Sequence, residues 1–182
     1  MASPPDAPTD AELITRVLLR DDRRAFGELV ARHQSAVRGL LRRLTGGDLS
    51  QADDLAQETF LRAYRGLRGY RGGAKFSSWL YRIACNVFFS RDRGSREAPQ
   101  EPLALEAGNS GLALPDLVLE RHDLEKALAS LKPRERAALV LTYANELTHE
   151  EAAVVLDCPV GTLKTHVARA KEKLRRQLEE VP

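Results

Sequence analysis

Between Thr148 and Leu178 the chain carries a pattern that few folds satisfy: THEEAAVVLDCPVGTLKTHVARAKEKLRRQL. Thr148 with Glu151 three residues on is a capping-box signature, in which the Thr hydroxyl accepts from the Glu151 backbone N–H and the Glu carboxylate reaches back. Ala152, Val155 and Leu156 then give a short helix one apolar stripe. Pro159 disfavours helical geometry at Cys158 and ends that helix, and a second helix can begin at Gly161-Thr162. At about 100° per residue, Leu163, Val167, Ala170, Leu174 and Leu178 fall on one side of it, with Thr165, Ala168, Arg169, Glu172 and Arg176 opposite. Lys164, Lys171 and Lys173 lie on the flanks. Two helices joined by a tight turn, the second with a small, polar, cationic outer face, predict a helix-turn-helix. In that geometry a major groove admits the second helix, Lys164 and Arg169 reach base edges or phosphates, and the flanking lysines neutralise backbone.

The rest of the chain reads as helix throughout, with no alternating strand pattern and no internal repeat. Residues 1–9, with three prolines, predict a frayed tail. Helices are expected near 10–20, 23–44, 51–68 and 76–91, punctuated by Gly46-Gly47 and Gly72-Gly73. Ser50 is placed as N-cap of the third, with Asp53 three positions on. Residues 94–116, GSREAPQEPLALEAGNSGLALPD, have no periodicity and predict a flexible acidic linker. A second helical lobe follows, near 117–130, 133–145, 149–157 and 161–179. The expectation is an all-α chain of two small domains, 10–93 and 117–182, tied by that linker.

Charge is distributed unevenly behind a net charge of only +2. From Arg62 to Arg96 nine Lys or Arg face one acid, Asp92; Asp48 to Glu58 is purely acidic; Glu97 to Glu125 holds seven acids against one Arg. Any one of these runs could simply solvate a helix. Together they imply surfaces that meet different partners, one of them a polyanion. No run of about 18 apolar residues escapes an interrupting charge, so neither a membrane span nor a secretory segment is expected, and the chain should stay in the cytosol. Cys85 and Cys158 stand far apart without CxxC spacing, which favours two reduced thiols over a redox pair. Enzymatic chemistry has no support: there is no phosphate-binding Gly loop, no paired metal ligands, and the four His are scattered. No cofactor or metal is expected.

The segment LKPRERAALVLTYANELTHEEAAVVLDCPVGTLKTHVARAKEKLRRQL resembles the C-terminal domain of bacterial sigma factors of the extracytoplasmic-function group. It is also similar to the output helix-turn-helix of LuxR-type regulators, so a stand-alone regulator is the competing reading. The N-terminal lobe separates the two. ADDLAQETFLRAYRGLRGYRGGAKFSSWLYRIACNVFFSRDR is similar to the sigma-two domain of the same group, whereas a LuxR-type response regulator would carry a receiver with alternating strands.

The resemblance implies a promoter-specificity subunit that binds core RNA polymerase and makes no chemical bonds itself. Thr162, Lys164, Thr165, His166, Arg169, Lys171 and Lys173 would meet the minus-35 element. Arg71, Lys75, Arg82, Asn86, Arg91 and Arg93 would meet the minus-10 element, with the loop 70–75 and Asn86 forming a pocket for an unstacked base beside Ser78 and Cys85. Phe76, Trp79, Leu80, Ile83 and Val87 share one stripe and are read as core. Asp53, Asp54, Gln57, Glu58 and Leu61 would dock on the β′ coiled coil, and the C-terminal lobe on the β flap. The acidic linker would thread toward the RNA exit path as a stand-in for RNA, with an idle solvated tether as the equal alternative. An anti-sigma factor is a further implied partner, and the free chain is expected to be a monomer. Asp157 stands where the family often has Gly, His166 where Arg is common, and RDDRRAF replaces the usual Gly-Asp before Ala-Phe.

Overall fold

The structure, a computed structural model, describes residues 7–97 and 124–179. Residues 1–6, the acidic segment from 98 to 116 and the start of the helix expected at 117 lie outside the described residues, as do the side chains of Arg93 and Leu178. The described elements are α1 (Asp10–Arg20), α2 (Arg23–Leu44), α3 (Leu49–Gly66), a 3-10 turn (Leu67–Gly69), α4 (Phe76–Glu97), α5 (124–129), α6 (Pro133–Tyr143), α7 (His149–Leu156) and α8 (Val160–Glu179). All are helical.

Local chemistry explains where these helices start and stop. Thr9 and Glu12 form a capping box at α1, which the Thr-x-x-Glu spacing would have disclosed. The α1 chain ends on Asp21 at φ 47°, and Asp22 at once caps α2 by accepting from the N–H groups of Arg24 and Ala25. Gly46 and Gly47, at φ 70° and 96°, turn the chain out of α2, a conformation that favours glycine. Asp48, not Ser50, then caps α3, because its carboxylate meets the Gln51 N–H at 2.9 Å and draws Leu49 and Ser50 into the first turn. At the other end α4 runs six residues beyond the expected 91, to Glu97, since nothing in SRDRGSRE forbids helical φ and ψ until Pro99.

The first lobe packs α2 against α1, α3 and α4. Leu13, Leu29, Val37, Leu40, Leu41, Leu44, Leu55, Leu67 and Leu80 are buried in its core. Tyr70, Phe76 and Trp79 form an aromatic knot with centroids about 5.5 Å apart, joined by His33, and the Tyr70 hydroxyl donates to the Ala74 carbonyl at 2.7 Å. That knot shapes the loop leading into α4.

In the second lobe α6 packs on α7 and α8, and it also lies against α2. Its buried residues, Glu135 through Leu141, form an unbroken run rather than a stripe. A helix buried all round needs neighbours on both sides, and α6 has them: its own lobe on one, the first lobe on the other. The two lobes therefore touch, also through α4 and α7.

Candidate nucleic-acid and polymerase interfaces

The elbow folds as its sequence dictates. The Thr148–Glu151 capping box is present at both ends, with Glu151 N–H on the Thr148 hydroxyl at 3.1 Å and Thr148 N–H on the Glu151 carboxylate at 2.9 Å. That backbone bond is the main reason the Glu151 carboxyl is held below its ordinary range. Helix α7 ends on Asp157 at φ 51°, the left-handed conformation Asp tolerates in place of Gly. Helix α8 starts directly after Pro159, at Val160.

On α8, Leu163, Val167 and Ala170 are buried, while Thr162, Lys164, Thr165, Ala168 and Arg169 are exposed. This leaves a small, polar, cationic surface on the N-terminal half of the helix, the shape a major groove accepts. Three expected contact residues sit differently from that face. Lys173 donates to Glu135 on α6 at 2.7 Å, and Lys171 stands 4.5 Å over the Tyr143 ring. His166 is half-buried, with Nδ1 lacking a protein partner. Glu135 was not legible as a site residue. It is only 3 % exposed. Burial pushes its carboxyl up, but the Lys173 hydrogen bond and charge, with the Lys132 backbone, outweigh this and hold it below the ordinary value.

In the first lobe, Arg82 and Asn86 are exposed one turn apart on α4, and Arg71 and Lys75 are exposed in the preceding loop. Lys75 to Asn86 spans about 16 Å along the axis at 1.5 Å per residue, so these groups line a strip rather than one pocket. Ser78 and Cys85, expected on this open face, are buried at 8 % and 0 % exposure. The reason is that α4 is flanked by α2 and α3 on one side and by α7 on another. Burial pushes the Cys85 thiol up to about 12. Phe76, Leu80 and Val87 are core as expected, with Trp79 and Ile83 half-buried against it. Arg91 reaches back toward α3, its guanidinium 4.0 Å from the Asp54 carboxylate.

Asp53, Asp54, Gln57 and Leu61 are exposed along one face of α3, with Glu58 half-buried among them. Leu61, at 52 % exposure, supplies an apolar centre. Arg38 pairs with Asp53 at 3.0 Å and Arg62 with Glu58 at 2.6 Å. Exposed pairs of this kind contribute at most about 1 kcal/mol each, so the acids remain available to a cationic partner. Among the described residues no group of His, Cys, Asp or Glu could hold a metal ion, and no helix is long and apolar enough to cross a membrane.

Residues 29–96 match the family model for Sigma-70 region 2, and residues 121–174 that for Sigma-70, region 4. The RNA polymerase sigma-H factor of Pseudomonas aeruginosa is 35% identical over 183 residues, covering 93% of this chain and 94% of that protein. The ECF RNA polymerase sigma-E factor of Escherichia coli K12 is 35% identical over 185 residues, covering 94% and 95%. Among solved structures, CnrH in complex with the cytosolic domain of CnrY aligns over 95% of this chain and 99% of that one, with TM-score 0.71 and 27% identity. The sigma factor RpoE in complex with the anti-sigma factor NepR from Bartonella quintana covers 86% and 98%, with TM-score 0.66 and 28% identity. These relatives are sigma factors rather than enzymes or LuxR-type regulators. With both lobes matched in order and the relatives covered almost end to end, the chain belongs to the extracytoplasmic-function group of the sigma-70 family, the alternative sigma factors that direct RNA polymerase to promoters.

Proposed function

We propose that the division of labour between the lobes is this. The outer face of α8, centred on Thr162, Lys164, Thr165 and Arg169, reads the minus-35 element, with Lys171 at its flank. Lys173 and His166 act chiefly by fixing α8 against its own lobe. The strip of Arg71, Lys75, Arg82 and Asn86 holds the minus-10 strand, with Arg91 and Arg93 along the same helix. The acidic and apolar ridge of Asp53, Asp54, Gln57, Glu58 and Leu61 docks on the cationic coiled coil of polymerase, and the second lobe on the β flap. The chain works in the cytoplasm, makes and breaks no bonds itself, and is held in check by an anti-sigma protein, as RpoE is paired with NepR in its solved complex.

One observation carries the reading. On α8 the apolar stripe is spent inside the lobe, and what faces outward is short, polar and cationic. An ordinary surface helix has no need to keep its N-terminal outer face free of acids and bulky side chains.

The test is reconstituted initiation with purified core polymerase and a library of random promoters. Enrichment of two spaced elements by the wild-type chain is expected. Asp54→Lys with Glu58→Lys should lower affinity for core while leaving the far-UV spectrum unchanged, and undiminished core binding would remove the ridge from the account.

A further inference from the structure

The loop between the 3-10 turn and α4 has little to hold it up from outside. Residues 71–75 are all exposed, and a Cβ added at Gly72 or Gly73 would meet no atom within 4 Å. Lys75 stands 3.8 Å from Glu151, but its side chain is 79 % exposed, so that contact is a weak tether. The course of the loop is therefore set at its base, by Tyr70 on one side and Phe76 on the other. The Tyr70 hydroxyl donates to the Ala74 carbonyl at 2.7 Å and closes the loop on itself. Buried Phe76 meets the Tyr70 ring in a T-shaped contact at 5.4 Å and stacks on Trp79 at 5.5 Å.

That base is in turn held from two other helices. His33 of α2, with its side chain only 16 % exposed, makes a T-shaped contact with Phe76, centroids 5.3 Å apart. Its Nε2 lies 2.7 Å from Oδ2 of Asp10, in the first turn of α1. A carboxylate only accepts, so this nitrogen carries the proton and the pairing fixes how the ring is turned. The other Asp10 oxygen, Oδ1, accepts from Arg32 at 3.2 Å, and the Thr9–Glu12 capping box fixes the turn that carries Asp10. Burial and, to a smaller extent, the Asp10 charge push the Tyr70 hydroxyl above its ordinary value, which keeps it a donor and puts Asp10 beside the same aromatic knot. A chain of contacts thus runs from Asp10 through His33, Phe76 and Tyr70 to the Ala74 carbonyl. Neither Asp10 nor His33 belongs to the cationic strip itself.

We propose that Asp10 and His33 are positioning residues for strand capture: the Asp10–His33 hydrogen bond holds the imidazole against Phe76 and so fixes the aromatic base from which the loop 70–75 receives an unstacked minus-10 base. They act through the loop and touch no DNA. The physical gain is preorganisation, since a loop already in its receiving shape loses less conformational freedom when a base enters. The inference rests on the assignment of the loop and Asn86 to the minus-10 strand made above.

The test uses the full chain with purified core polymerase, on a promoter enriched from the random library and carrying a fluorescent adenine analogue in its minus-10 element. Analogue emission reports strand opening, anisotropy reports binding to core and to closed duplex, and circular dichroism melts report folding. Trp79, the single tryptophan of the chain, reports the knot by its own emission. His33→Phe keeps a ring against Phe76 and loses the donor, His33→Gln keeps a donor and loses the ring, and Asp10→Ala loses the acceptor. Each should lower opening several-fold and shift Trp79 emission, with affinity for core and for closed duplex unmoved. Asp10→Asn, whose amide oxygen still accepts from His33, should retain opening. Arg32→Ala, which leaves the Asp10–His33 pair in place, should behave as wild type. Full opening by Asp10→Ala and both His33 variants, alongside an impaired Asn86→Ala control, would overturn the positioning role. So would losses of opening that simply track melting temperature across the set, Arg32→Ala included, because that pattern is stability alone. A Trp79 shift with full opening in every variant, Arg71→Ala with Asn86→Ala among them, would instead sink the minus-10 reading of the loop, and the positioning with it.

Discussion

Helices α4 and α8 invite comparison, because both are cationic, both are about twenty residues long, and both are assigned to nucleic acid. Helix α8 buries one stripe and exposes the rest. Helix α4 buries Phe76, Ser78, Leu80, Tyr81, Ala84, Cys85, Val87 and Phe88, which together occupy most of its circumference. One helix has a single packing partner side; the other is held between its own lobe and α7. The lesson is that the width of the buried arc, more than the charge of the helix, sets how many of its cations can be offered to DNA at once.

The comparison breaks most violently in the core. Leu163→Ala in α8 and Leu80→Ala in α4, both essentially inaccessible, are each expected to cost about 2–5 kcal/mol. Thermal melts should show a single coupled transition for both if the lobes pack as described, and two separable transitions if they do not. On the functional side, Arg169→Ala is expected to weaken binding to the selected promoter by about 1–3 kcal/mol if the side chain makes a bidentate base contact. An equal loss on every sequence would reassign it to a phosphate.

Smaller effects sharpen the local account. Thr148→Ala removes one half of the capping box that sets the pitch of α7 and should cost about 1 kcal/mol in urea denaturation. The acid limb is smaller still. Glu135 has its carboxyl held below the ordinary value of 4.5 in the folded chain. Its contribution is present in full above that value and is lost as pH falls through the lower folded value. Wild type should therefore lose stability relative to Glu135→Gln as pH drops below 4.5, with parallel behaviour above it. A difference confined to neutral pH would show that the Lys173 pair is not its source.

Residues that obey one period were legible. The capping box, the Pro159 stop, the Leu163-Val167-Ala170 stripe and the outer position of Arg169 all follow from rules spanning a few residues. So did the exposed ridge of α3, where Asp54, Gln57 and Leu61 fall opposite Ala56 and Ala63. The start of α3 was missed by two residues because Asp48 and Ser50 are both good caps, and it is the Asp48 carboxylate that accepts from the Gln51 N–H. Ser78 and Cys85 were misplaced for a different reason. Their burial depends on a side of α4 that faces another lobe, and periodicity within one helix carries no information about a second neighbour. The apolar run AALVL in α6 was the one available hint that some helix is covered on both sides.

What the amino-acid order determined by itself is the set of helices, their caps and the polar outer face of α8, because hydrogen bonds and side-chain stripes of that kind are settled within a few turns. Only the tertiary structure decided that Arg136 meets the Leu44 carbonyl, that Glu125 finds Arg42, and that Lys75 and Arg82 look toward acids of α7. Those pairings join groups separated by scores of residues. They exist because burying α6 and α4 on two sides brings the lobes together, and no local rule encodes which carbonyl a distant guanidinium will reach.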